Sequence, residues 1–152
     1  MTAPRHTNNG KCARCALIMD RYDGFYQPLR EWFESFQRIR PEAHISCAGR
    51  GQMDQEALFL RGASNARYGE SAHNYNAAID LFELQGDLKK IYEPAWFEQV
   101  LKPHLPTMWL RWYGLPGAEF PELPHVEVRD WRVMRTKGAL KLVEPVQDLP
   151  IT

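Results

Sequence analysis

The sequence predicts an α+β fold in which helices flank a small antiparallel sheet. Between Pro28 and Arg40, apolar residues recur at three- and four-residue steps, which is typical of one face of an amphipathic helix. The stretch AAIDLFEL, residues 77–84, is apolar on both faces and therefore predicts a central strand. The chain has 152 residues, of which 44% are hydrophobic, so it can bury a core of its own.

The N-terminal half of the chain is predicted to contain two helices and one strand. Residues 1–11 are polar and predict a loose arm ahead of the first helix. Pro41 ends that helix, and the following AHISCAG, residues 43–49, alternates like a short strand. A second helix is expected over residues 53–61. The stretch RGASNARYGES, residues 61–71, predicts a loop because glycines interrupt it.

The C-terminal half continues with the central strand, one further helix and two further strands. A helix is expected over residues 94–102, because Pro94 suits a first helical turn and Pro103 ends the apolar stripe. TMWLRW, residues 107–112, and HVEVRDW, residues 125–131, each predict a strand.

Composition restricts the classes of function. Lysine and arginine together number 19, as do aspartate and glutamate, so a net charge of zero gives no reason to expect nucleic-acid binding. No run approaches the roughly 20 apolar residues of a membrane span, and the start of the chain does not resemble a secretory signal. We therefore expect a cytoplasmically made monomer without stable membrane insertion. Residues 1–23 are expected to form an N-terminal arm and residues 24–152 a single domain.

A candidate metal site is indicated by a carboxylate in an apolar segment. Asp80 lies within the predicted central strand, and a buried charge is costly unless it is paired or binds a metal. His73 and His125 would complete two imidazoles and one carboxylate, a three-ligand set suited to catalytic zinc. Zinc affinity should then fall below about pH 6, because neutral imidazole is the ligand. Spacing alone leaves open that both histidines are structural or exposed.

The stretch FPELPHVEV, residues 120–128, adds a candidate general base. Glu122 lies three residues before His125, and a carboxylate beside an activated water can take its proton. Glu127 is a competing candidate, because it alternates with His125 on a strand and both side chains would face the same side. An ExxH pattern is common by chance, so spacing does not decide between them.

Two motifs resemble those of the zinc D-Ala-D-Ala carboxypeptidase and L-alanyl-D-glutamate endopeptidase family. SAHNYNAAID resembles the family signature SxHxxGxAxD, with Ser71, His73, Ala78 and Asp80 in register. ELPHVE resembles the second signature, in which an acidic residue precedes a histidine by three positions. The segment that begins CAGRGQ resembles the family's upstream arginine segment. The resemblance extends over roughly residues 24–131.

This resemblance implies a site and a reaction. The sheet would carry the zinc site, as in the hedgehog-like fold of the family. Three residues would bind zinc: His73, Asp80 and His125. Glu122 would be the general base, Arg50 would hold or polarise the substrate carbonyl, and Ser71 would contact the substrate or orient the first ligand. The reaction would be the hydrolysis of peptidoglycan stem peptides, which contain D-residues.

One position departs from the family signature. Asn76 stands where the family has glycine. Glycine at such a position usually allows a positive φ angle or close backbone packing. Asparagine is among the side chains that best tolerate a left-handed backbone, so we expect Asn76 to be accommodated there.

In its small size and its lack of an export signal, the chain resembles single-domain phage endolysins. Those are L-alanyl-D-glutamate endopeptidases that reach the cell wall after a holin opens the inner membrane. Such an enzyme of phage or prophage origin is the expected function. The alternatives are a D-Ala-D-Ala carboxypeptidase, a non-catalytic binding module that retains zinc, and a virion component that penetrates the wall locally.

The N-terminal cysteines form a separate feature. Cys12 and Cys15 have the CxxC spacing of half a zinc knuckle or of a redox pair. The sequence contains no second CxxC, His6 lies at an unconvincing spacing, and His44 is expected to be structural. With only three cysteines the chain lacks a disulfide framework. Reduced thiols are therefore expected, and a partial metal clip for the N-terminal arm is the alternative.

Overall fold

A five-stranded antiparallel sheet organises the described part of the protein. The computed structural model describes residues 4–86, 89–112, 114 and 122–144. The strands are β1 (Ala43–Cys47), β2 (Ala78–Gln85), β3 (Lys89–Ile91), β4 (Leu110–Trp112) and β5 (His125–Val128). Their order is β1-β2-β5-β4, and β3 also pairs with β2. With the helices around this sheet, the predicted α+β fold class is confirmed.

The central strand β2 fixes the relative positions of the elements that form the site. Its apolar residues are almost completely buried, with Ile79, Leu81 and Phe82 at 0% exposure. β2 pairs with β1 on one side and with β5 on the other. In this register Asp80 lies opposite both Cys47 and His125. The prediction of a central strand over residues 77–84 is confirmed, and its pairing brings the two sequence motifs together.

Helices cover the sheet and close the core. They are α1 (Ala13–Met19), α2 (Gln27–Ile39), α3 (Gln52–Leu60), α4 (Pro94–Trp96) and α5 (Trp131–Thr136). A 3₁₀ helix spans Ala72–Tyr75, and a π-helical turn at Phe97–Leu101 and a 3₁₀ turn at Lys102–His104 follow α4. None of the helices in the described part of the chain is long and apolar enough to cross a lipid bilayer.

The helix α2 follows the predicted pattern closely. Pro28 lies in its first turn, where the missing amide proton has no consequence, and Arg40 caps its end. Leu29, Phe33 and Phe36 are buried along one face. Each such burial contributes roughly 1.5–3 kcal/mol relative to an exposed side chain.

Several elements differ from the sequence-based expectations. The expected helix over residues 94–102 exists, but only its start is α-helical. The strand expected over residues 125–131 ends at Val128, because the buried Trp131 begins α5 instead. α1 was not expected; it packs against β1 and buries Cys15, Ile18 and Met19. The domain boundary between residues 23 and 24 stays a prediction.

Candidate functional site

The 3₁₀ helix Ala72–Tyr75 positions the first histidine. The Ser71 hydroxyl accepts a hydrogen bond from the His73 amide at 3.3 Å, and the Asn74 side chain accepts one from the Ser71 amide at 3.2 Å, which forms a capping box. His73 Nδ1 lies 2.6 Å from the Ala48 carbonyl. Because a carbonyl oxygen only accepts, Nδ1 carries the proton, and Nε2 of neutral His73 is available as a ligand.

Asp80 is the point where the predicted residues meet. Its Oδ1 lies 3.2 Å from His73 Nε2 and 3.3 Å from His125 Nδ1. Its Oδ2 lies 3.7 Å from Arg50 Nη2. The carboxylate in the apolar strand is therefore surrounded by the two imidazoles and one guanidinium that the sequence motifs contributed.

Glu127 orients the second histidine from behind. Its Oε1 accepts a hydrogen bond from His125 Nε2 at 2.8 Å, and its Oε2 accepts one from Trp131 Nε1 at 2.9 Å. With Nε2 engaged, Nδ1 of His125 is the nitrogen directed at Asp80. A carboxylate that holds the distal nitrogen of a ligating histidine is a common supporting arrangement in metal sites. This role of Glu127 was not foreseen from the sequence, although its i, i+2 spacing from His125 was the available signal.

Glu122 occupies a different environment from Glu127. Its Oε2 lies 3.6 Å from His125 Nδ1, its side chain is 38% exposed, and it lines an open cleft. The Glu127 side chain is only 6% exposed, and both of its oxygens accept hydrogen bonds. The geometry therefore favours Glu122 over Glu127 as the carboxylate that can exchange a proton with a molecule in the cleft.

Arg50 is held against the site from the loop after β1. Its amide donates to the His73 carbonyl at 2.9 Å. Its guanidinium donates to Gln55 Oε1 at 3.0 Å and to Cys47 Sγ at 3.4 Å. Burial alone would lower the pKa of Arg50, but Cys47 and Asp80 outweigh it and raise the pKa, so the side chain stays cationic.

Cys47 lies beside the candidate site, although neither sequence motif contains it. Its sulfur lies 3.9 Å from His73 Nδ1, and Cys47, His73 and Asp80 place ligand atoms within 4.8 Å of one another. Burial alone would raise the pKa of the Cys47 thiol, but the charges of His73 and Arg50 outweigh burial and lower it. The sheet register explains this proximity, since Cys47 lies opposite Asp80.

Electrostatic coupling dominates the protonation of the site. Burial alone would raise the pKa of Asp80, but the charge on His73 and hydrogen bonds from both imidazoles hold that pKa well below its usual range. Burial likewise opposes the protonation of His73, but the Asp80 charge outweighs it and raises the pKa of His73 to about 10. The pKa of His125 is also raised, against the effect of burial, by hydrogen bonds to Asp80 and Glu127.

The two nitrogen–oxygen separations around Asp80 are of the size that a zinc ion requires, and the group whose ligand atoms all lie within 4.8 Å of one another is Cys47, His73 and Asp80. A tetrahedral ion with bonds of about 2.0–2.2 Å to nitrogen and oxygen separates neighbouring ligands by about 3.4 Å. The two nitrogen–oxygen separations around Asp80 Oδ1 are 3.2 and 3.3 Å. Both histidines have their other nitrogen hydrogen-bonded, which is the usual support for metal-ligating imidazoles.

The site opens into a cleft of about 740 Å³. Residues from several parts of the fold line it: the loop after β1, the segment 63–66 after α3, the two motifs, and the start of α5. Arg50, His73, Asp80, Glu122 and His125 are all among the lining residues, as is Ser71. The candidate ligands and the candidate base therefore line one shared cleft.

Asn76 adopts the backbone conformation that its position demands. Its φ and ψ angles are 55° and 35°, and it caps the 3₁₀ helix in the left-handed region. Among the described residues, it is the non-glycine residue with a positive φ. Its Nδ2 donates to the Asp23 carbonyl at 2.9 Å. Asn76 therefore has the left-handed backbone that was expected at this position.

Comparisons with known proteins support the fold. No family model matches the chain, and no curated protein matches it. The structure is similar to a crystal structure of the Serratia marcescens L-Ala D-Glu endopeptidase ChiX, with a TM-score of 0.61 and 16% sequence identity. The similarity covers 78% of this chain and 91% of that one. The chain therefore shares the fold of an L-Ala D-Glu endopeptidase.

Proposed function

We propose that the protein is a zinc-dependent peptidoglycan peptidase that cleaves cell-wall stem peptides, most specifically between L-alanine and D-glutamate. The observation that carries this proposal is the convergence of His73, His125 and Arg50 on Asp80, with Glu122 beside them at an open cleft. The fold shared with an L-Ala D-Glu endopeptidase supports the choice of substrate class and of bond.

His73, Asp80 and His125 would hold the zinc ion. When bound, zinc supplies Lewis acidity toward a water molecule and a peptide carbonyl. Glu122 would accept the proton of the attacking water and return it to the leaving amine, a task for which an exposed carboxylate at the cleft is suited. Glu127 would keep the His125 ring in place without taking part in proton transfer, because it is buried and engaged on both oxygens.

Arg50 would bind the substrate carbonyl and stabilise negative charge on its oxygen. Two hydrogen bonds, to Gln55 and Cys47, hold the guanidinium in a defined orientation. A preoriented cation loses little entropy when the charge develops, which is the condition for effective electrostatic catalysis. A non-catalytic binding module would have no need for both this arginine and Glu122 at the same cleft.

The test is mass spectrometry of purified peptidoglycan after digestion, with and without a chelator. Peptides that begin at D-glutamate, together with glycan strands that retain L-alanine, are the expected products. Loss of only a terminal D-alanine would replace the endopeptidase by a carboxypeptidase. The absence of any chelator-sensitive product would contradict a peptidoglycan peptidase of either kind.

A matched pair of variants tests the assignment of the base. Glu122→Gln should lower the rate by about 10²–10⁴-fold, because general acid–base catalysis contributes that much, while bound zinc is retained. Glu98→Gln makes the same chemical change at an exposed helical surface position and should leave the rate unchanged. Full turnover in Glu122→Gln would remove Glu122 from the proposed role.

A further inference from the structure

A second cluster of ligand-type side chains lies outside the candidate active site. His6 precedes α1, Cys12 and Cys15 lie at its start, and His44 lies on β1. Each of the four offers one ligand atom, and these atoms all lie within 4.8 Å of one another. Two parts of the chain that are distant in sequence, residues 6–15 and His44, therefore bring two sulfurs and two imidazole nitrogens close together.

The separations match the edges of a tetrahedron. Zinc bonds of about 2.3 Å to sulfur and about 2.0–2.1 Å to nitrogen place neighbouring sulfur and nitrogen ligands about 3.5–3.6 Å apart. His6 Nδ1 lies 3.4 Å from Cys12 Sγ and 3.6 Å from Cys15 Sγ. His44 Nδ1 lies 3.4 Å from Cys15 Sγ. The same nitrogen of each ring makes these contacts, as a shared central ion requires.

The surroundings are built to hold two sulfurs in place. The Cys15 amide donates to Cys12 Sγ at 3.4 Å, and the Ile45 amide donates to Cys15 Sγ at 3.5 Å. Gln37 binds the Cys12 amide through Oε1 at 3.3 Å and the Ala43 carbonyl through Nε2 at 2.8 Å. Amide donors aimed at sulfur stabilise its anionic form, which is the form that ligates metals.

Burial makes the cluster difficult to explain as packing alone. Cys12 and Cys15 are 1% exposed and His44 is 0% exposed. Among the described residues, His44 Nε2 has no hydrogen-bond partner, so the polar contacts of this ring are made through Nδ1. A redox pair would need only the two cysteines, and it would not account for two imidazoles that face the sulfurs.

We propose that His6, Cys12, Cys15 and His44 form a structural zinc site separate from the candidate active site. Four protein ligands close the coordination shell, which is the arrangement of structural zinc, whereas a catalytic ion keeps a position open. The ion would fasten the N-terminal segment and α1 to β1. α1 has only seven residues, and a helix of that length has little stability by itself.

The decisive measurement is cobalt substitution of the full-length protein. Thiolate ligands give Co²⁺ an intense ligand-to-metal charge-transfer band in the near ultraviolet, which nitrogen and oxygen ligands do not give. The band should appear in the native chain and persist in His73→Ala, which disables the other site. It should disappear in the double variant Cys12→Ser, Cys15→Ser. Cys47→Ser is the matched control, because it removes the third cysteine, and it should retain the band.

Metal counting by native mass spectrometry gives an independent readout. The native chain should carry two zinc ions, the double cysteine variant one, and the exposed-histidine control His104→Ala two. A native chain with one ion that survives loss of both cysteines would overturn the proposal. A Cys12–Cys15 disulfide in the zinc-treated protein would overturn it as well.

The proposal stays testable if the double cysteine variant does not fold. In the native chain, zinc should protect Cys12 and Cys15 from a maleimide, and a chelator should make both reactive. Equal reactivity with and without zinc would overturn the site. None of these readouts depends on peptide hydrolysis, so a failure of the proposed enzymatic function would be distinguished from a failure of the structural site.

Discussion

At the scale of single residues, the candidate active site depends on which nitrogen of each imidazole holds a proton. His73 donates Nδ1–H to the Ala48 carbonyl and turns Nε2 toward Asp80. His125 donates Nε2–H to Glu127 and turns Nδ1 toward the same carboxylate. The two rings therefore have opposite tautomers when neutral, and each is fixed by a partner outside the ligand set.

The first prediction concerns the partner of His125. Glu127→Gln should weaken zinc binding at the active site by about 10–100-fold, because the ring loses the carboxylate that fixes its tautomer and raises its basicity. Chelator competition in the double cysteine variant, Cys12→Ser and Cys15→Ser, would isolate this ion. Glu83→Gln changes a glutamate of β2 away from the site and is the control. An unchanged affinity in Glu127→Gln would contradict the orienting role.

The second prediction concerns the close packing of Gly49 and Asn76. A Cβ at Gly49 would lie 2.2 Å from Asn76 Oδ1 and 3.1 Å from the Tyr22 ring. Gly49→Ala should therefore cost about 1–3 kcal/mol of the free energy of unfolding, as overpacking usually does. The cost should be smaller in an Asn76→Gly background, because the obstructing side chain is gone. Urea unfolding of the four proteins of this cycle measures the coupling, and strict additivity would contradict the contact.

At the scale of elements, the local sequence pattern predicts α2 and β2 better than it predicts the shorter helices and strands. α2 has thirteen residues with a regular apolar stripe, and five of the eight residues of β2 are buried. α1 has seven residues and β3 has three, so each depends on tertiary contacts that no local window contains. The sequence pattern predicts Trp131 at the end of a strand, but in the structure Trp131 is a buried residue at the start of α5.

The third prediction compares two positions in the apolar stripe of α2. Phe33 is fully buried and Ile39 is 62% exposed, although both belong to the apolar stripe of the sequence. Phe33→Ala should lower the free energy of unfolding by about 3–5 kcal/mol, because it leaves a cavity in the core. Ile39→Ala should change it by less than about 0.5 kcal/mol. Denaturant titration measures both, and similar losses would show that the stripe is buried along its whole length.

At the scale of the whole molecule, strand β1 links two clusters of different character. His44 contributes to the cysteine-containing cluster, and Cys47, three residues later, lies beside His73 and Arg50. The cysteine-containing cluster offers four ligand atoms, whereas the cluster around Asp80 borders an open cleft. Fixing β1 by the N-terminal segment would therefore also hold one wall of the candidate active site.

The two clusters also differ in what sequence reasoning could find. His73, Asp80, His125 and Glu122 lie in two motifs with recognisable spacing, and the structure brings them together. His44 lies 29 residues from Cys15, and only the packing of α1 on β1 makes them neighbours. Glu127 was visible as a candidate base, but its role in holding His125 depends on Trp131, which also required the tertiary structure.

The last prediction follows from the charges that surround His73 in the metal-free protein. Asp80, Arg50, Cys47 and His125 face this imidazole, and the net effect raises its pKa to about 10. A folded-state pKa above the unfolded value of about 6.5 means that protonated His73 stabilises the metal-free fold. This contribution is fully present below about pH 6.5 and is lost as the pH rises toward 10. The pKa of Asp80 is lowered, so ionised Asp80 also stabilises the metal-free fold. That contribution is fully present above the ordinary aspartate pKa of about 3.9 and is lost as the pH falls below it.

Urea unfolding with a chelator present would test this dependence. The stability difference between the native chain and His73→Gln should shrink between pH 6.5 and 10, by on the order of 1.4 kcal/mol per pH unit. Because zinc must displace the same proton, its affinity should keep rising well above the pH 6 threshold that an unperturbed histidine implies. A constant difference between the native chain and His73→Gln would show that Asp80 does not hold a proton on His73. In that case no proton on His73 would compete with zinc near neutral pH.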